Sequence, residues 1–135
     1  MSTIVTRAGK GSPLTNTELD ANFNNLNNDK IELVVNGTAS SSSITPASTD
    51  SQYNVTALAI GATINAPSGS PVHGKKLILR IKDDGTPRAL NWNAIYRAIG
   101  VTLPITTVAS KTVYLGMTYN STDVKWDVTA IVTEA

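Results

Sequence analysis

Apolar positions recur along this chain with two different periods. In the N-terminal part, Leu19, Phe23, Leu26, Lys30 and Leu33 follow one another at spacings of 4, 3, 4 and 3, a short a/d stripe of the kind that forms a coiled-coil seam. Thr15 and Glu18 just ahead of it match the capping box, in which hydroxyl and carboxylate each satisfy an orphan backbone N–H. Pro13 stands outside the cap, where no helix has to run through it. The pattern predicts a helix after Thr15. Its other face is Asn22, Asn24, Asn25, Asn27 and Asn28, and Asn is a poor helix former. About two heptads of such sequence are too few for an isolated helix in water. The helix therefore needs a surface to lie on. Spacing alone leaves open whether this is its own β domain, copies of itself or a larger assembly. Residues 1–14 hold Gly9, Gly11 and Pro13 and are expected to be extended and irregular.

From Gln52 onward the period becomes 2. Val55, Ala57 and Ala59 alternate with Thr56, Leu58 and Ile60, and Leu77, Leu79 and Ile81 with Ile78, Arg80 and Lys82. Val113, Leu115, Met117 and Tyr119 form another alternating row, and Trp126, Val128, Ala130 and Val132 an inward row after it. Successive strand side chains point to opposite faces, so each segment reads as a strand with one buried face. The breaks carry turn chemistry: Ala66–Pro71, Asp83-Asp84-Gly85, and Asn120–Asp123, which joins the last two strands as a hairpin. Arg88–Asn93 reads as a strand and Ala94–Ile99 as an irregular corner. Residues 36–51 are rich in Ser and Thr and read as a linker, with room for a short edge strand. The expected organisation is an arm and short helix over 1–35, a linker over 36–51 and an all-β domain over 52–135. The expected fold is mainly β: a small antiparallel sandwich or jelly-roll-like domain preceded by the extended arm and helix.

Composition narrows the function classes. The 135 residues carry 11 Lys+Arg against 10 Asp+Glu, and only 16 % are charged. That balance argues against a nucleic-acid partner, which calls for a basic surplus on one face. There is no cysteine, which removes disulfides, thiolate metal sites and a Cys nucleophile. No apolar run is long enough for a membrane span, and no apolar segment of a signal peptide precedes the helix; assembly in a cytoplasm is expected.

The sequence offers little chemistry. His73 is the single histidine and sits in a turn, with nothing in sequence to orient it as a base and no ligands clustered for zinc. Asp83 with Asp84, and Asp123 with Asp127, could serve as carboxylate pairs, but both sets fall where turns use Asp. Gly9-Lys10-Gly11-Ser12 fails the spacing of a phosphate loop. Catalytic residues, metal ligands and cofactors are expected to be absent. Trp92 and Tyr96 are kept as a weak candidate platform for sugar.

Val5-Thr6-Arg7-Ala8-Gly9-Lys10-Gly11-Ser12-Pro13-Leu14-Thr15, continuing through Glu18-Leu19-Asp20-Ala21-Asn22-Phe23-Asn24-Asn25-Leu26-Asn27, resembles the start of many bacteriophage tail-fibre and other virion proteins. Gly74–Asp84, Arg88–Trp92, Tyr96–Pro104 and Lys125–Val128 are similar to a small β module that recurs in phage structural proteins. The resemblance implies a non-enzymatic virion component, assembled in the host cytoplasm, whose N-terminal end docks onto other phage proteins of the tail, neck or capsid. Arg7, Lys10, Leu14, Leu19, Phe23 and Leu26 are the candidate docking residues, and a homo-oligomer, a trimer, is the expected state. The chain lacks the long shaft and large distal tip of a receptor-binding fibre, which favours a short tail-fibre, adaptor or decoration role. The alternative is a host-glycan-binding module of a phage fibre using Trp92 and Tyr96.

Overall fold

A computed structural model of the chain describes residues 3–29 and 33–135. The chain divides into two compact units, Met1–Glu32 and Leu33–Ala135. Lys30 of the predicted stripe lies outside the described residues.

In the first unit, α1 (Arg7–Lys10) is a single turn. The Thr6 side chain accepts the Gly9 N–H at its start, and Gly11 ends it in the left-handed region at φ 73°, a conformation in which glycine carries no Cβ penalty. The arm expected to be irregular throughout thus holds one turn of helix. α2 (Asn16–Asp29) starts where the capping box places it. The Thr15 N–H donates to Glu18 Oε2 at 2.7 Å, and the Glu18 N–H donates to Thr15 Oγ1 at 3.2 Å.

Among the described residues the second unit contains nine strands: β1 (Val35–Thr38), β2 (Ser43–Ile44), β3 (Gln52–Leu58), β4 (Ala62–Ile64), β5 (Lys76–Asp83), β6 (Leu90–Trp92), β7 (Tyr96–Ala98), β8 (Thr112–Asn120) and β9 (Lys125–Thr133). A large sheet has the order β1-β3-β5-β8-β9-β7, and a small one the order β2-β4-β6. The chain alternates between them. After β1 and β2 it returns to lay β3 along β1 and β4 along β2, then β5 along β3 and β6 along β4, and all four ladders are parallel. The β8–β9 hairpin then closes antiparallel on β5, and β7 runs parallel to β9.

The protein is therefore mainly β, but among the strands of the described residues the antiparallel ladders are β5–β8 and β8–β9, with one further antiparallel bridge between Ala89 and Thr106. A strand that returns one coil later carries the same alternation as one that folds straight back, so periodicity does not distinguish them. Residues 36–51, expected as a linker, belong to the β unit: they include most of β1 and all of β2, and Ile44, Ser48 and Asp50 are buried. Small, weakly charged side chains fit a winding coil as readily as a free connection. The expected corner after Asn93 contains β7, whose Tyr96 pairs with Trp126.

One core is built from both sheets. Val55, Leu58, Leu77, Leu79, Ile81, Leu115, Met117, Trp126 and Val128 of the large sheet join Ile44, Ala62, Ile64 and Leu90 of the small one. Alternation predicts this row through Val128 and then fails. The register slips between Gly116 and Met117, which pair with Ala130 and Val128, leaving Thr129 as the extra residue of a bulge. A one-residue insertion exchanges the faces, so Ile131 packs on the core while Ala130 and Val132 face outward. A similar slip between Val55 and Leu58 turns Leu58 inward.

Candidate interaction site

The docking residues predicted from sequence lie in the first unit, and its packing is inverted. Asn22 grips the arm through both ends of its amide: Oδ1 accepts the Val5 N–H at 2.8 Å and Nδ2 donates to the Val5 carbonyl at 2.7 Å. Asn25 Nδ2 donates to the Thr3 carbonyl at 2.7 Å. These asparagines are half-buried under the arm. The apolar stripe is left bare, with Phe23 68 % and Leu26 58 % exposed, and Leu19 exposed beside them. An amphipathic helix in a globular unit ordinarily buries its apolar stripe.

A second lock fixes the start of α2. Lys10 Nζ donates to Glu18 Oε2 at 2.5 Å, tying α1 to the capping box. The bond from Lys10 and then that from the Thr15 backbone hold the Glu18 carboxyl down to about 2, outweighing an opposing push from burial, with the Thr15 hydroxyl adding a smaller pull. Of the six candidates, Lys10 is thus engaged within the unit and Leu14 is half-buried. Arg7, Leu19, Phe23 and Leu26 are exposed and available. Sequence reasoning missed the role of Asn22 and Asn25; their spacing of one helical turn was visible, but the backbone groups they hold lie far away in the chain.

The remaining chemistry resolves into structural contacts. Arg97 Nε donates to Asp127 Oδ1 at 2.7 Å and Arg97 Nη2 to Asp123 Oδ2 at 2.8 Å. The Arg97 bonds hold the Asp127 carboxyl below its ordinary range, and these carboxylates in turn hold the guanidinium proton more firmly. With a guanidinium hydrogen-bonded to both carboxylates, the pair is poorly suited to bind a cation or share a catalytic proton. Asp84 pairs with Arg88 at 3.1 Å, and Asp83 is buried among hydrogen-bond donors. His73 Nδ1 lies 3.1 Å from Ser121 Oγ and accepts the Ser121 N–H at the same distance. Among the described residues no group of His, Asp and Glu converges as a metal-ligand set.

The two residues kept for a sugar platform are engaged within the fold. Tyr96 is 5 % exposed and its hydroxyl donates to the Asn65 carbonyl at 2.8 Å; burial pushes its phenol well above the ordinary range. Trp92 is half-buried, donates its indole N–H to the Pro104 carbonyl at 2.7 Å and meets Tyr96 edge-on at 5.6 Å between ring centroids. The pair joins the small sheet to the large one at this corner, with Tyr96 buried and Trp92 half-buried.

Comparison with protein-family models, with curated proteins and with solved structures gives no match.

Proposed function

We propose that the chain is a non-enzymatic structural component of a bacteriophage particle, a short tail-fibre, adaptor or decoration protein that docks through its N-terminal unit and self-associates as a trimer. The observation that carries this reading is the inverted helix. The asparagines of α2 are used to hold its own arm, while Leu19, Phe23 and Leu26 are turned to solvent. Bare apolar side chains at seam spacing match the needs of other copies or of a larger assembly. The resemblance of residues 5–27 to the attachment ends of virion proteins supplies the identity of that assembly.

The β unit is read as the projecting or covering part. Its sheets, expected as a sandwich or jelly-roll-like body, are read as the walls of a short β-solenoid capped by the β8–β9 hairpin. The experiment is deletion of residues 1–30 followed by purification of particles. The truncated protein is expected to stay folded and be lost from the particle; full incorporation without the arm and α2 would overturn the docking role.

A further inference from the structure

Asn36 is the one asparagine of the chain that is followed by glycine. Asparagine is a thermally labile residue, and a glycine after it presents a backbone nitrogen that no side chain shields. The pair lies in β1, the outermost strand of the large sheet among the described residues, and both members are exposed. Val35 is partnered with Gln52, whose N–H donates to the Val34 carbonyl. Alternate residues of a parallel strand turn their backbone groups to the neighbour. Val34 and Asn36 therefore face β3, and the Gly37 N–H points to the sheet edge.

The fold holds both members in place. A Cβ on Gly37 would meet the Asn54 carbonyl oxygen at 2.2 Å, so the position is closed to a side chain. Asn36 Nδ2 donates to Asp50 Oδ1 at 2.6 Å, and the Ala47 N–H donates to Asp50 Oδ2 at 2.7 Å. Asp50 is 1 % exposed, and a buried carboxylate needs such donors. The amide of Asn36 thus ties β1 to the segment between β2 and β3. Two similar sequences are closed to the same chemistry. Asn120, before Ser121, has its amide pinned at both ends, by the Thr122 and Asp123 N–H groups on Oδ1 and by Asp123 on Nδ2. Asp84, before Gly85, is an ionised carboxylate paired with Arg88, and a carboxylate resists nucleophilic attack.

We propose that Asn36-Gly37 is a modification site at which the folded protein deamidates spontaneously, and that the product releases β1. The Gly37 nitrogen attacks Asn36 Cγ. The new N–Cγ bond forms as the Cγ–Nδ2 bond breaks, the proton of the Gly37 nitrogen passes to the departing nitrogen, and ammonia leaves. Water then opens the succinimide at either carbonyl to give aspartate or isoaspartate. An extended strand disfavours the approach of Cγ to the next nitrogen, so the reaction proceeds from local openings. These cost little in a four-residue edge strand. The product places a carboxylate where a donor stood: Asp50 loses its amide partner and faces a like charge. Isoaspartate also adds a carbon to the main chain and shifts the register after it. The step is irreversible, so β1 loosens with the age of the protein, whatever the chain docks to.

The experiment follows full-length protein held at neutral and mildly alkaline pH, native and in urea, by peptide mass spectrometry after digestion in acid. Asn36 is expected to become a mixture of aspartate and isoaspartate in the native protein, at a rate within about tenfold of that in urea, while Asn120 keeps its amide. Asn36→Gln, whose longer side chain closes its ring far more slowly, should stay unmodified. Aged native protein and fresh Asn36→Asp should both exchange the Ser51 and Gln52 amides, which donate to the Val34 carbonyl, about tenfold faster or more. The Leu90 amide, bonded to the Ile105 carbonyl, should be unchanged. An Asn36 that keeps its amide in the native protein while the chain in urea converts would overturn the site. Conversion without faster exchange at Ser51 and Gln52 would overturn the release of β1.

Discussion

Asp83, at the end of β5, is only 2 % exposed, yet it is kept as a carboxylate. Burial pushes its carboxyl up. The Thr107 hydroxyl at 2.5 Å, the Gly85 N–H at 2.7 Å and the Ser110 N–H at 3.1 Å outweigh that push, with Arg88 adding a smaller attraction, and hold it below its ordinary 3.8. Asp83→Ala removes the acceptor and leaves these donors without it. Each such loss costs more than the net worth of the bond, so urea unfolding should show a destabilisation of about 2–4 kcal/mol. Because the folded pKa is depressed, the contribution is complete at neutral pH and lost only as pH falls through the folded value, below 3.8. Comparing native and Asp83→Ala unfolding at neutral and strongly acidic pH checks both size and sign; an undiminished difference in acid would contradict the assignment. In sequence, Asp83-Asp84-Gly85 reads chiefly as turn chemistry; in the structure Asp83 ends β5 and the chain bends at Gly85. That its first carboxylate is a buried hub was not legible, because Thr107 and Ser110 arrive from a distant loop.

The arm and α2 make a locally specified element whose purpose lies outside it. Its cap and start were readable, since Thr15 and Glu18 interact within a few residues, and so was the stripe as far as Leu26; Leu33, read as its continuation, lies beyond α2 in the second unit. The clamp of Asn22 on Val5 was not, because it joins residues 17 apart. Glu18 connects cap and arm, and its depressed pKa fixes the pH response. Its stabilising effect is present above 4.5 and disappears as pH falls through about 2. The helical signal should therefore persist at about pH 3 and drop near pH 2; Glu18→Ala should reduce it already at neutral pH and speed exchange of the Val5 amide. Circular dichroism with amide exchange tests this, and a variant indistinguishable from the native chain would remove Glu18 from the lock. Strands follow the same rule. Leu77, Leu79 and Ile81 were legible as an inward row, whereas Ala130 and Val132 were misassigned because one bulge residue, Thr129, exchanges the faces beyond it.

Across the whole molecule, winding was the feature that sequence hid most completely, although it left a trace. Ser43-Ile44-Thr45, Thr63-Ile64-Asn65 and Asn91-Trp92-Asn93 are the same polar–apolar–polar step in successive coils, with Ile44 stacked on Ile64 and Ile64 on Trp92. The connections between them differ in length, so no fixed period exposes the repeat. The division of labour between the units then sets how the protein melts. Among the described residues, every buried apolar core residue lies from Ile44 to Val128, so the core of the β unit is made of its own side chains. The first unit has its stripe in water and too few turns to stand alone. If copies associate through that stripe, folding is linked to protein concentration by mass action. The melting temperature of the full chain should climb as concentration is raised, and the climb should be much smaller once residues 1–32 are removed, the truncated protein retaining the β spectrum. Scanning calorimetry of both chains over about a hundredfold range of concentration makes the comparison. A full chain whose melting temperature ignores concentration would show that the bare stripe of α2 contributes nothing to assembly in solution.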